Sequence, residues 1–338
     1  MVRVGVIGCG YWGPNLIRNF VSCPQTELRW VCDMDKDRLE KVMKSYPGIS
    51  ATINCMNVIY DSDIDAISIA TPVHTHYVLA RKCLENGKHV LIEKPMASSI
   101  KQGKELVELA KKKNLQIMCD HTFCYTGAIR KIKEIILSGK LGNLLYFDSV
   151  RINLGLFQQD VNVVWDLAPH DLSILDFLID KKPIFVSAHG ICHLDNGLEN
   201  IAYVVLKYDD NFIAHLHLNW LSPVKTRKII IGGSEKMLVW DDNDVAEKIK
   251  IYDKGVSVFS SNIEEREKML VSYRAGDVYI PKLDQTEALS LVVEEFASCI
   301  KEKRSSITGE KDGLDVLKLL EAIDRSIKND GENVSVER

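Results

Sequence analysis

The 338 residues carry a formal charge of −4, and their 46% apolar and 27% charged content is that of an ordinary globular protein long enough for two cores. That balance gives no reason to expect nucleic acid or an acidic membrane surface as a partner, and no apolar run reaches the roughly 18 residues needed to span a bilayer. Nine cysteines, odd in number and scattered through apolar stretches, suit reduced thiols better than a disulfide framework. Cys119, His121 and Cys124 form no CxxC pair and have no second ligand pair, so no metal site is expected. The chain opens directly into a strand rather than a signal-peptide layout, which makes the cytoplasm the expected compartment.

In chain order, Val2–Ile7 reads as a strand, Gly13–Val21 as a helix, Leu28–Cys32 as a second strand and Asp35–Tyr46 as an amphipathic helix. Strands at Ala66–Ala70, His89–Ile92 and Gln116–Cys119 alternate with helices at Thr75–Asn86 and Ser99–Lys113. Continuous apolar strands separated by helices predict a parallel sheet covered on both faces, an α/β Rossmann domain over 1–121. Beyond it, a helix at Ala128–Leu137, a strand at Leu144–Ile152 and a helix at Asp166–Ile179 precede a run of strands with sharp turns. These are Phe185–His189, Ile201–Tyr208, Phe212–Trp220, Arg227–Gly232, Lys236–Trp240 and Lys248–Tyr252. They predict an α+β domain over 122–338 on a large open, mostly antiparallel sheet, read as a meander. Two closing helices, Gln285–Lys301 and Gly313–Lys328, are expected to pack back toward the first domain.

Gly8-Cys9-Gly10-Tyr11-Trp12-Gly13 has G-x-G-x-x-G spacing between a strand and a helix. Gly8 serves the tight turn, Gly10 lets a pyrophosphate approach the backbone, and Gly13 allows close helix–strand packing. Asp33 follows by about twenty residues at a strand end, where a carboxylate binds a ribose 2′-hydroxyl and repels a 2′-phosphate. NAD is thus favoured over NADP, although Lys36 and Arg38 lie nearby.

Glu93-Lys94-Pro95 closes a strand of the same domain, at the edge where ligands bind in a doubly wound sheet. A lysine there can steady an oxygen that changes oxidation state; the alternative is a surface lysine. In Trp165-Asp166-Leu167-Ala168-Pro169-His170-Asp171, a helix would set Asp166 and His170 on one face, with Pro169 in its first turn. A carboxylate-held histidine is a general base near neutral pH. Equally, Asp166 could cap the helix and His170 could be packed core.

Together VGVIGCGYWGPN, IATPVHTHYVLA, VLIEKPMA and WDLAPHDLSIL resemble the glucose–fructose oxidoreductase / inositol dehydrogenase / MocA family, as does the ending Tyr279-x-Pro281…Glu287…Glu295-Phe296. The resemblance implies a Rossmann domain, an open-sheet domain, and homodimers or homotetramers formed through those sheets. It implies that Lys94 is the active-site lysine and that Asp166 and His170 are the Asp-x-x-x-His pair. Thr71, Pro72 and His76 then resemble the loop flanking the nicotinamide, with Glu93 as its neighbour. Many relatives carry Gly where this chain has Ala168, which puts the helix start in question but not the two polar residues.

The glycine turn and the Trp-Asp-Leu-Ala-Pro-His-Asp motif are similar to the branch acting on nucleotide sugars, where the 3-hydroxyl of a UDP-N-acetylhexosamine is oxidised. Lys225 and Arg227 alternate along an expected strand and could meet a diphosphate from one side, or could simply be solvated. Arg151, Asn153 and Asn162 are candidate hydroxyl binders. The rivals are an inositol or free-sugar dehydrogenase, a ketosugar reductase, and a non-catalytic NAD-binding sensor, which the presence of both Lys94 and His170 disfavours.

Overall fold

The structure, a computed structural model, describes residues 1–155, 160–194, 197–253, 255–258, 271–274 and 276–336. The chain divides into two compact units, Met1–Thr126 with Gln285–Glu321, and Gly127–Asp284 with Ala322–Arg338. Among the described residues no helix is long and apolar enough to cross a membrane.

The first unit alternates β1 (Val2–Ile7), α1 (Gly13–Ser22), β2 (Thr26–Cys32), α2 (Lys36–Ser45), β3 (Ser50–Thr52), α3 (Cys55–Ile59), β4 (Ala66–Ile69), α4 (Val73–Glu85), β5 (His89–Glu93), α5 (Ile100–Lys113) and β6 (Ile117–Asp120). Its parallel sheet has the order β3-β2-β1-β4-β5-β6. Val4, Val6, Val31, Ile67, Ile69, Val90 and Ile92 are fully buried. Each contributes about 1.5–3 kcal/mol by leaving water. The order reverses between β1 and β4, which opens a crevice at the strands' carboxyl ends. The sequence pattern misses β3, whose three residues Ser-Ala-Thr carry no apolar run.

The second unit contains α6 (Gly127–Leu137), β7 (Leu144–Leu154), α7 (Val163–Leu178), β8 (Phe185–Ile191), β9 (Ile201–Lys207), β10 (Ile213–Asn219), β11 (Leu221–Gly233), β12 (Met237–Asp241), β13 (Ile249–Tyr252), β14 (Gly255–Val258), β15 (Val271–Arg274), β16 (Val278–Tyr279) and β17 (Val334–Ser335). Its main sheet has the order β16-β13-β12-β11-β7-β10-β9-β8-β17, with β14 and β15 forming a separate pair. The expected simple meander is corrected here. β7 lies between β10 and β11 and runs parallel to β10, while its pairing with β11 is antiparallel. One face is buried by alternation: Ala202, Val204 and Leu206 on β9, and Ala214, Leu216 and Leu218 on β10. Helix α7 packs on β7, β9 and β10. The other face carries the stacked rings of Tyr203, His215 and His217.

The closing helices are α8 (Ala288–Glu302) and α9 (Glu310–Lys328). Within the first unit α8 packs against α1, β1 and the 3-10 turn Thr122–Tyr125.

The start of α7 differs from the sequence reading. Asn162 caps it by accepting a hydrogen bond from the Trp165 amide at 3.0 Å, and the buried Val163, Val164 and Trp165 form its first turn. Pro169 therefore sits inside the helix, where its missing N–H gives up one bond of the ladder.

Candidate active site

The glycine turn is shaped by excluded volume. Gly8 has φ +104°, and a Cβ on it would fall 2.3 Å from the Ala70 carbonyl oxygen. A Cβ on Gly13 would lie 2.1 Å from the Gly8 oxygen. Gly10 differs: the nearest atom to its added Cβ is Arg38 Nη1 at 3.4 Å, which leaves that side open for a ligand. Helix α1 starts with no side-chain cap, so its amino end is available to phosphate oxygens. The Asp33 carboxylate accepts from the Cys9 amide at 2.6 Å and the Asp35 amide at 2.9 Å, with Arg38 Nη1 at 3.8 Å. Tyr11 is 87% exposed, whereas the Trp12 indole donates to Asp120 at 3.4 Å. A backbone cradle beside an oriented carboxylate fits the pyrophosphate and ribose of a dinucleotide.

At the ends of β5 and β6 a second group of polar residues converges. His76 is 1% exposed, and its ring nitrogens contact the Pro95 oxygen at 2.9 Å and the Thr71 oxygen at 2.8 Å. It braces the backbone on either side of this site. Thr71 Oγ1 is 2.6 Å from Thr75 Oγ1 at the start of α4, and Pro72 is the residue that precedes that helix. Glu93 is raised well above its ordinary value by burial and by Asp120 beside it. Asp120 is raised by burial, against hydrogen bonds that hold it down. Lys94 follows directly and is half-buried. His121 is 1% exposed, and burial together with Lys94 pushes its imidazole down to about 4.

Within the second unit, α7 carries two further candidate residues. Asp166 lies in its first turn and accepts from the Trp220 indole at 3.1 Å. His170, half-buried, follows one turn later on the same helix face. Arg151 and Asn162 both have partners within this unit. The Arg151 guanidinium makes two 2.9 Å bonds to Asp171, the pair being 2% and 1% exposed. Asn162, besides its capping bond, donates to Glu199 at 2.9 Å and to Asp324 at 3.4 Å. Both side chains are occupied in holding α7 to its sheet and to α9. Asn153 is half-buried near Trp220: a Cβ on Gly155 would lie 2.9 Å from Asn153 Nδ2 and 3.2 Å from the Trp220 ring.

The expected alternation of Lys225 and Arg227 does not hold along β11. Its register shifts between Leu221 and Thr226, and Lys225 falls within that irregular stretch, exposed. Arg227 pairs across the sheet with Arg151 and is half-buried, 3.6 Å from Asp242. Burial and the Arg151 charge push its guanidinium down.

Sequence reasoning overlooked Asp120, Asp171, Trp220 and Asp324. Asp120 was findable: it ends β6 as Glu93 ends β5, and a parallel ladder sets such residues side by side.

Cradle, carboxylate and lysine-bearing strand end together define a dinucleotide-binding unit of an oxidoreductase. Two family models match, one described as an oxidoreductase family with an NAD-binding Rossmann fold over residues 2–121, the other as the GFO/IDH/MocA C-terminal domain over 129–239. The chain belongs to this GFO/IDH/MocA oxidoreductase family, and NAD is its cofactor. It is 24% identical to scyllo-inositol 2-dehydrogenase (NAD(+)) of Bacillus subtilis, over 97% of this chain and 94% of that one. It is 27% identical to UDP-N-acetylglucosamine 3-dehydrogenase of Acidithiobacillus ferrooxidans, a match spanning 56% of this chain and 58% of that protein. The solved structure of the Acidithiobacillus ferrooxidans enzyme GnnA superposes with a TM-score of 0.81 at 21% identity, covering 97% of this chain and 98% of that one.

Proposed function

We propose that this enzyme oxidises a sugar ring hydroxyl, the 3-hydroxyl of a UDP-N-acetylhexosamine, with NAD⁺ as oxidant. The observation that carries the reading is the pair on α7, with Asp166 held by the Trp220 indole and His170 one turn further on. In this reading His170 takes the hydroxyl proton as the C–H bond gives up its hydride, and the carbonyl forms. Lys94, a fixed cation at the end of β5, steadies the developing alkoxide. NAD⁺, when bound, supplies the hydride acceptor. Gly8, Gly10 and Gly13 would receive its pyrophosphate, Asp33 its adenosine ribose, and the Thr71–Pro72 and Glu93–Lys94 strand ends its nicotinamide half. Similarity to a UDP-N-acetylglucosamine 3-dehydrogenase supports the choice of sugar.

A second reading, an inositol or free-sugar dehydrogenase, is favoured by the Arg227–Asp242 ion pair, which uses part of the charge a diphosphate would need. The half-exposed sheet face around Tyr203, with its neighbouring Val150 and Ile230, supports a homodimer or homotetramer. The test is NADH absorbance with UDP-N-acetylglucosamine, its uronic acid, UDP-glucose and myo-inositol in parallel. NADH formed only with UDP sugars is the expected result, and turnover of myo-inositol alone would overturn the assignment.

A further inference from the structure

Glu93 and Asp120 are Cα partners where the parallel strands β5 and β6 end, and each carboxyl acts on the ionisation of the other. Two carboxyls set side by side away from water resist ionising together, so the pair keeps one proton between them. Thr122 donates to Asp120 at 2.6 Å and Trp12 at 3.4 Å, so Asp120 is the better placed of the two to hold a negative charge.

The surrounding groups leave few ways to balance a further charge. Lys94 acts on both carboxyls as a cation. His121 on the same strand end is held neutral by burial, and burial also pushes the ring of His76 on α4 down. The Cys119 thiol stays protonated, raised by burial and by the charges of Asp120, Glu93 and Asp312 on α9. One ammonium thus faces one carboxylate and one carboxylic acid. Glu93 Oε1 is buried and has no hydrogen-bond partner among the described residues.

The carboxyl ends of these strands are where the reactive end of a dinucleotide lies in this fold. The oxidised nicotinamide ring adds a positive charge there, and the reduced ring adds none. We propose that the Glu93–Asp120 pair adjusts its charge to the oxidation state of the cofactor, losing its shared proton to solvent when NAD⁺ binds and keeping it when NADH binds. The balance is one proton released per oxidised cofactor bound, with no other bond broken. The pair then presents two carboxylates to two cations, Lys94 and the nicotinamide. Asp120 and Glu93 become positioning residues that favour the oxidised form. The inference needs NAD binding but no particular sugar, so it stands or falls separately from the substrate reading.

Isothermal titration calorimetry tests it near neutral pH, with NAD⁺ and NADH each titrated in two buffers of different protonation enthalpy. The two ligands share their phosphates and riboses, so proton changes at the adenosine half cancel. The wild-type protein is expected to release up to about one proton more with NAD⁺ than with NADH. Asp120→Asn and Glu93→Gln are each expected to remove that difference, whatever change each makes to the affinity for either cofactor form. Equal proton counts in the wild type, or a difference surviving in both variants, would overturn the proposal. The wild-type comparison decides alone if a variant does not fold.

Discussion

The polar cluster at the ends of β5 and β6 and the one along α7 are built on opposite terms. Along α7 buried and half-buried polar groups partner one another: Arg151 grips Asp171, Asn162 bridges Glu199 and Asp324, and the Trp165 indole donates to Asp324 at 2.7 Å. At the ends of β5 and β6, Glu93 Oε1 and both ring nitrogens of His121 are buried without hydrogen-bond partners among the described residues. A buried polar atom without a partner costs about 1–3 kcal/mol. Arg151, Asp171, Asn162 and Asp324 are therefore scaffolding that fixes the helix bearing Asp166 and His170, and the strand-end cluster carries a cost that suits a site meeting a ligand. Substitutions should separate the two, one kind acting on turnover and the other on stability.

The largest effect on chemistry is expected from Lys94→Met, which should lower turnover by about 10²–10⁴-fold. NADH affinity, read from its fluorescence on binding, and the melting temperature should stay close to wild type. A variant that melted early yet turned over normally would reverse the comparison. Asp171→Ala should do the opposite. Leaving the Arg151 guanidinium buried and unpaired costs about 3–5 kcal/mol in a urea titration. The double replacement Arg151→Met with Asp171→Leu should recover most of that loss, since two apolar side chains remove the stranded charge. Failure to recover would mean that Arg151 does more than hold α7 in place.

A smaller effect should appear in acid. The His121 imidazole titrates at about 4 in the fold against an ordinary 6.5, so the unfolded chain takes up the proton first. Its contribution to stability is intact above pH 6.5 and falls as the pH drops toward 4, by roughly 3 kcal/mol in total. His121→Phe keeps a ring in the space and should flatten the profile over that window. Denaturant midpoints measured between pH 7 and pH 4 would show it, and an unchanged slope would place the acid sensitivity elsewhere.

These contrasts track what the sequence made legible. The dinucleotide turn could be read because its determinants are local: glycines at fixed spacing, flanking apolar strands, and Asp33 at the end of the next strand. Lys94 and the Asp166–His170 spacing are likewise short-range patterns. The Arg151–Asp171 pair was not legible, because Asp171 lies across a sheet–helix contact that no spacing rule reveals. The capping role of Asn162 was missed for a different reason. An Asn directly before Val-Val-Trp fits a helix cap, yet Asp166 and Pro169 offered a competing start four residues on. The insertion of β7 between β10 and β11 had no local signature, because each strand shows only its own alternation. Asp120 stayed hidden until the register of β5 against β6 placed it beside Glu93.

The approach of Gly13 to the Gly8 carbonyl has a consequence for inheritance. The turn is defined by the absence of two methyl groups, so the residues between the glycines are released from shaping it. Tyr11, standing in solvent, can drift without disturbing the cradle, while a single added carbon at either end closes it. Mutational tolerance across these six positions should therefore be lowest at the two ends and highest at Tyr11, a steric signature visible even to someone who knows nothing of the ligand.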